Sequence, residues 1–232
     1  SIYQTTNIFP KSLFLLHERK GHFMDQFTYA ERSTDCRGNN NIAESIFKQM
    51  RHETHPIPRH IVIGAGTGGT SATIGRYVRY ERHATRICVA DPEHSVFMPY
   101  WQTGDASLTS AHGSRIEGIG RPRVEPSFIR TLVDHMIAVP DAASIAAMSV
   151  LSNLLNRRVG PSTGTNFYAA LQLAQTMTER NEAGSIVSLI CDSGERYRET
   201  HHCAEWLKKC ALYDDTQTIK ADLLKRLGLS AS

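Results

Sequence analysis

The chain has 232 residues, 41% of them hydrophobic and 21% charged, with a formal net charge of +3 at pH 7. That length holds one large domain, or one domain and a fragment of another, and the composition is that of an ordinary globular protein with a full core. The balance of 26 basic against 23 acidic residues, with no basic run interleaved with aromatics, excludes a nucleic-acid footprint. No apolar run approaches the roughly 18 residues of a membrane span, and the first residues lack the pattern of a secretory signal.

Ser1 to about Gly21 reads as a strand or loop and then a helix that ends at Lys20-Gly21, and His22 to Phe27 as a short extended segment. Asn41 is placed to cap a helix from Ile42 to about His52. Pro56 and Pro58 then break the chain ahead of His60-Ile61-Val62-Ile63, an apolar run that reads as a short buried strand. It enters Gly64-Ala65-Gly66-Thr67-Gly68-Gly69-Thr70 and a helix to about Arg82, followed by a strand over Arg86 to Asp91. Pro92 to Arg130 reads as a long irregular stretch. A strand around His135 to Val139 leads to Asp141, which caps a helix from Ala142 to Arg157. Gly160 to Gly164 forms a turn into a helix from Asn166 to Arg180. A strand over Ile186 to Cys191, a loop over Asp192 to Tyr197 and helices around Glu199–Lys209 and Gln217–Leu227 close the chain. Strands separated by helices of this length imply an α/β fold, a parallel sheet covered by helices on both faces.

The chemistry concentrates at the first strand-to-helix turn. Glycines there let a ligand approach the backbone closely, and the free N–H groups and positive end of the following helix make a phosphate cradle. Two readings fit. Gly64-x-Gly66-x-x-Gly69 satisfies the dinucleotide fingerprint, and the strand ending at Asp91 supplies an acid about 20 residues on. Gly66-Thr67-Gly68-Gly69-Thr70 equally resembles the G-T-G-G-T loop of the fold-type II pyridoxal phosphate enzymes, in which loop amides and two threonine hydroxyls hold a single phosphate monoester. The motif alone leaves both open.

Five segments, spread in order from roughly Gln26 to Leu212, resemble the cysteine synthase and cystathionine β-synthase family of fold-type II enzymes, which use pyridoxal 5'-phosphate. They are Gly66–Thr70, Asp91-Pro92-Glu93-His94-Ser95, Arg115-Ile116-Glu117-Gly118-Ile119-Gly120, Gly160-Pro161-Ser162-Thr163-Gly164 and Ser193-Gly194-Glu195-Arg196-Tyr197. The resemblance implies that Gly66, Thr67, Gly68, Gly69 and Thr70 hold the cofactor phosphate. It implies that the Ser193 hydroxyl meets the pyridine nitrogen without forcing its protonation. Gly118 and Arg121 would stand beside the substrate, where a guanidinium suits a phosphate leaving group. Cys191-Asp192 departs from the Pro-Ser often found before this turn and matches the Asp-Ser of cystathionine β-synthase.

The resemblance further implies β-replacement on O-phosphoserine or O-acetylserine by a sulfur nucleophile, sulfide or thiosulfate, in a cytoplasmic homodimer. Residues 1–25 would end the smaller domain, and residues 26–232 would form the larger, cofactor-holding one. The lysine that carries the cofactor in this family lies in an early S-x-K-x-R-type segment, and none of Lys11, Lys20, Lys48, Lys208, Lys209, Lys220 and Lys225 has that context. The expectation is therefore the C-terminal part of such an enzyme, with no catalytic residue assigned. The alternatives are a remnant that binds a partner without catalysing and, more distantly, a nicotinamide-dependent oxidoreductase. The five cysteines form no C-x-x-C pair and read as reduced thiols of a cytosolic protein. The scattered histidines have no metal-ligand frame.

Overall fold

The structure, a computed structural model, describes residue 18 and residues 21–38 and 41–229. The helix expected to end at Lys20 lies almost wholly outside the described residues. The elements run α1 (Gln26–Tyr29), α2 (Ile42–Met50), β1 (His60–Gly64), α3 (Gly69–Tyr80), β2 (Arg86–Pro92), α4 (Phe97–Thr103), β3 (His135–Val139), α5 (Asp141–Leu154), α6 (Pro161–Glu179), β4 (Ile186–Ser188), α7 (Ala204–Lys209) and α8 (Tyr213–Arg226). The four strands form one parallel sheet in the order β3-β2-β1-β4.

Strand alternation sorts the core. Ile61 and Ile63 of β1 face Ala43, Ile46 and Phe47 of α2 and Ile74 and Val78 of α3. Val62, between them, faces the other way with Cys88 and Ala90, against Ala143 of α5 and Ala169 and Leu173 of α6. Both faces are thus covered, as a parallel sheet requires. Helices α5 and α6 approach closely where Gly164 meets the Ser144 carbonyl, at which a Cβ would come within 2.1 Å of the oxygen.

Asn41 caps α2 as expected, its side chain accepting from the Glu44 N–H at 3.0 Å. Other expectations change. The stretch from Pro92 to Arg130 contains α4, whose Phe97 stacks on Phe128 with ring centroids 4.2 Å apart. Asp91 receives the Met98 N–H at 2.8 Å and so serves the first turn of that helix. Residues 22–25 lead into α1 instead of extending, because Asp25 turns left-handed at φ 40° and its carbonyl accepts from Thr28 and Tyr29. Asp141 does not cap α5 with its side chain: neither of its carboxylate oxygens has a hydrogen-bond partner, and Pro140 occupies the capping position. Helix α6 begins at Pro161 rather than Asn166, since proline suits the first helical position. Strand β4 ends at Ser188, short of Cys191.

Candidate active site at the carboxyl edge of the sheet

The chain leaves β1 toward β2 and β3 on one side and later returns to β4 on the other. This makes the carboxyl end of β1 a switch point, where loops on either side diverge and open a crevice. A cavity of about 710 Å³ lies there. The β1–α3 loop forms one side, residues 113–122 another, and the first turn of α6 with the segment after β4 the rest.

Close packing explains the glycines of the loop. Gly68 sits at φ 86°, and a Cβ there would lie 2.6 Å from the Phe128 Cα. At Gly66 a Cβ would lie 2.2 Å from the Gly118 carbonyl oxygen. The loop is pinned from outside, because Ser127 donates its hydroxyl to the Thr67 carbonyl and Gly120 N–H donates to the Ala65 carbonyl at 2.8 Å. Thr67 Oγ1 accepts from the Gly69 N–H at 3.3 Å. What remains is a helix start with unspent N–H groups, flanked by the hydroxyls of Thr67 and Thr70. Gly66, Thr67, Gly68, Gly69, Thr70, Gly118 and Arg121 all line the cavity.

Arg121 is on the wall but its charge is engaged. Its Nε donates to Glu125 Oε1 at 2.8 Å, and its guanidinium lies 4.5 Å from the Phe27 ring centroid. Glu125 is 1% exposed and also accepts from Arg123 at 3.2 Å. The free guanidinium expected beside a substrate anion is instead half of a buried ion pair.

Ser193 does not line the cavity. Its hydroxyl accepts from the Glu195 N–H at 3.3 Å, closing the short 3-10 turn at Gly194–Tyr197. It borders a separate depression with Arg158 and His202. The cavity wall at this turn is made by its neighbours Cys191 and Asp192 and by Arg196 and Tyr197. Asp192 Oδ2 accepts the Tyr197 hydroxyl proton at 2.8 Å. Burial, and then that carboxylate, push the Tyr197 hydroxyl well above the ordinary tyrosine range. The Cys191 N–H donates to Thr163 Oγ1 at 2.9 Å, which ties the turn to the first turn of α6.

Sequence reasoning passed over Asn166, Glu125 and Asp192. Asn166 is 1% exposed and lines the cavity; its Nδ2 is directed at the Leu189 carbonyl, leaving Oδ1 buried without a partner. Only the charge of Asp192 next to the Ser-Gly turn signals its place in sequence. Among the described residues, no lysine lines the cavity, and no cluster of histidine, cysteine or acidic residues is arranged to hold a metal. No described helix is long and apolar enough to cross a membrane.

The model of the pyridoxal-phosphate dependent enzymes matches residues 13–192. The chain belongs to that family. It is 56% identical over 206 residues to an L-cysteine desulfhydrase of Mycobacterium tuberculosis, a match covering 89% of this chain and 56% of the relative. It is 31% identical over 167 residues to cystathionine beta-synthase of Saccharomyces cerevisiae, covering 72% of this chain and 32% of the relative. Among solved structures, a hydrogen sulfide-producing enzyme matches with a TM-score of 0.67 at 25% identity, over 83% of this chain and 54% of that one. An O-ureido-L-serine synthase shares the fold, with a TM-score of 0.67 at 18% identity over 85% of this chain and 57% of the other. The chain therefore spans between about a third and just over half of the length of these relatives. Membership disposes of the dinucleotide alternative, and the structure gives a physical reason. The acid that a ribose would need, Asp91, is 2% exposed and occupied at the start of α4. The cavity also fits the family's cofactor. It joins a glycine cradle that tolerates no Cβ at Gly66 or Gly68 to a wall with two unpartnered acceptors, Asn166 Oδ1 and Asp192 Oδ1.

Proposed function

We propose that this chain is the cofactor-holding part of an enzyme that cleaves the Cβ–S bond of L-cysteine, converting cysteine and water to pyruvate, ammonia and sulfide. The observation that supports it is the 56% identity, over 89% of the chain, to a desulfhydrase. Gly66, Thr67, Gly68, Gly69 and Thr70 hold the cofactor phosphate through backbone N–H groups and the two hydroxyls. Gly118, pressed against Gly66, places the loop of residues 113–120 on the substrate side. When bound, pyridoxal phosphate withdraws electrons from the substrate α-carbon, which loosens its proton and the leaving group on Cβ.

The second reading, β-replacement on O-acetylserine or O-phosphoserine by sulfide, is supported by 32% identity over 184 residues to cysteine synthase 2 of Neurospora crassa. The engagement of Arg121 with Glu125 withdraws support from a charge-selected phosphate leaving group. A division near residue 25, a homodimer and a cytosolic setting belong to the same proposal; five cysteines without a disulfide support the last.

Two measurements test the proposal. Pyridoxal phosphate should bind the chain and raise its melting temperature in a concentration-dependent way. The 232-residue chain should release no sulfide by itself, because no lysine among the described residues lines the cavity. Joined to the half of its relatives that it does not span, it should release sulfide from L-cysteine faster than it makes cysteine from O-acetylserine and sulfide. The reverse ratio would favour the synthase reading.

A further inference from the structure

Strand β1 is polar at both ends. Its last residue opens into the cradle, whereas its first, His60, stands at the amino edge of the sheet, the opposite edge from the cavity. Strand register brings two more basic residues toward it. Arg86 pairs with His60 across β2 and β1, and His135 begins β3 opposite Cys88. Val62, Cys88 and Ile137 share one layer of the core, and His60, Arg86 and His135 each precede one of them by two residues. Side chains alternate along a strand, so all three take that same face, on adjoining strands about 4.8 Å apart.

The grouping is costly by itself. His60 is 8% exposed, and its Nδ1 is buried with no hydrogen-bond partner; an unmet buried polar atom is destabilising. Burial, and then the charges of Arg59, Arg86 and His135, hold the ring below the ordinary histidine range. The acids nearby are engaged elsewhere. Glu182, whose charge acts on His60 in the opposite sense, pairs with Arg59 at 2.7 Å. Asp134, next to His135, pairs with Arg79 at 2.6 Å and accepts the Ile87 N–H at 2.8 Å. Arg86 and His135 are both exposed at this edge.

A divalent oxyanion meets each of these needs. Its oxygens accept from imidazole and guanidinium N–H groups, and its charge offsets the repulsion among the basic groups. We propose that His60, Arg86 and His135 form a binding site for a small divalent oxyanion, of the sulfate or phosphate class, at the amino edge of the sheet. The site is separate from the cavity and does not rest on the cofactor reading. An anion there favours the charged imidazole, so anion and proton strengthen each other's binding.

The test follows the imidazole ring signals of the 232-residue chain by NMR while sodium sulfate replaces sodium chloride at fixed ionic strength. His60→Gln and His135→Gln assign the two signals. Sulfate should move both along a saturating curve and make protonation of His60 about tenfold more favourable, so its affinity should rise as pH falls. Arg86→Gln, a change at an exposed position, should weaken sulfate binding about tenfold and leave pyridoxal phosphate binding unchanged. Sulfate taken up only at the cradle, at the other end of β1, would leave both histidine signals in place. Signals that stay in place, or that drift without saturating, overturn the proposal, and so does equal sulfate affinity in Arg86→Gln and wild type.

Discussion

The cradle depends on positions where a single methyl group is too much. Gly68 combines a left-handed φ of 86° with the Phe128 backbone 2.6 Å from a hypothetical Cβ, so a branched side chain there meets both conformational strain and a clash. Gly68→Val should abolish phosphate and pyridoxal phosphate binding and lower stability. Thr70→Ala removes one exposed hydroxyl from the cavity rim, a loss of about 1 kcal/mol or roughly fivefold in phosphate affinity. Isothermal titration with phosphate checks both; undiminished affinity in Gly68→Val would dismiss the cradle.

Arg121 makes a second case at this scale. Glu125 is 1% exposed, so removal of Arg121 leaves a buried carboxylate with Arg123 alone. Loss of one partner from a buried pair costs about 3–5 kcal/mol, and the surviving Arg123 contact should hold Arg121→Ala below that range. Denaturant unfolding should show the loss, and adding Glu125→Gln should restore part of it. A variant as stable as wild type would return Arg121 to the role of a free cation at the cavity.

Among the elements, α6 links core to site. Its buried face packs on β1, β2 and β4 through Ala169 and Leu173, while its first two turns bring Ser162 and Asn166 to the cavity. Gly164, between Ser162 and Asn166, lies against Ser144 of α5 with no space for a side chain. Gly164→Ala should push the two helices apart and destabilise the fold by about 1–3 kcal/mol, and because Asn166 moves with the helix it should weaken cofactor binding as well. A shift in denaturation midpoint with unchanged pyridoxal phosphate affinity would separate the two effects and argue against the link. Helix α4 shows a different dependence. It forms where Phe97 stacks on Phe128 and where the Asp91 carboxylate receives the Met98 N–H, partners supplied by a later segment and by the end of β2.

At the scale of the whole molecule, parallel topology places loops from all four strands along one edge, and it buries charge near that edge. Burial pushes the Asp141 carboxyl up to about 7, with Glu93 adding to the rise and Arg115 opposing it. Burial likewise pushes Asp91 up to about 6. Each group holds its proton in the folded state to a higher pH than in the unfolded chain, where a carboxyl titrates near about 4. Between roughly pH 4 and 7 the folded state binds more protons, so this part of the stability falls as pH rises and levels off above about 7. His60, His201 and His202 act in the opposite sense. Burial lowers all three, so their contribution is lost as pH falls below about 6.5. Asp141→Asn isolates one component. It should raise the melting temperature relative to wild type at pH 8, with the gain shrinking toward pH 4. A gain that stays constant across that range would exclude titration of Asp141 as its cause.

The sequence by itself determined the frame: short continuous apolar runs for the strands, the Gly-rich turn after β1, and strands alternating with helices into a parallel sheet. Those features rest on local dihedral freedom and side-chain periodicity, which neighbouring residues decide among themselves. It also determined the family, through segments such as Gly66–Thr70 and Gly160–Gly164 whose spacing survives in linear order. Partners were a matter for the tertiary structure alone. Arg121 was legible as a cation beside a glycine turn, but its pairing with a Glu125 buried in the fold and its stacking on Phe27 required the loop of residues 121–125 to meet the segment that carries Phe27. Ser193 and Asp192 are adjacent in sequence, and only the seating of Asp192 over Gly160 and under the Tyr197 hydroxyl decided which one lines the cavity. Asp141 read as a helix cap and is instead a carboxylate with no hydrogen bond. Burial decided each case: Glu125 and Asp141 are nearly inaccessible to solvent, and no local pattern records how deeply a side chain is covered.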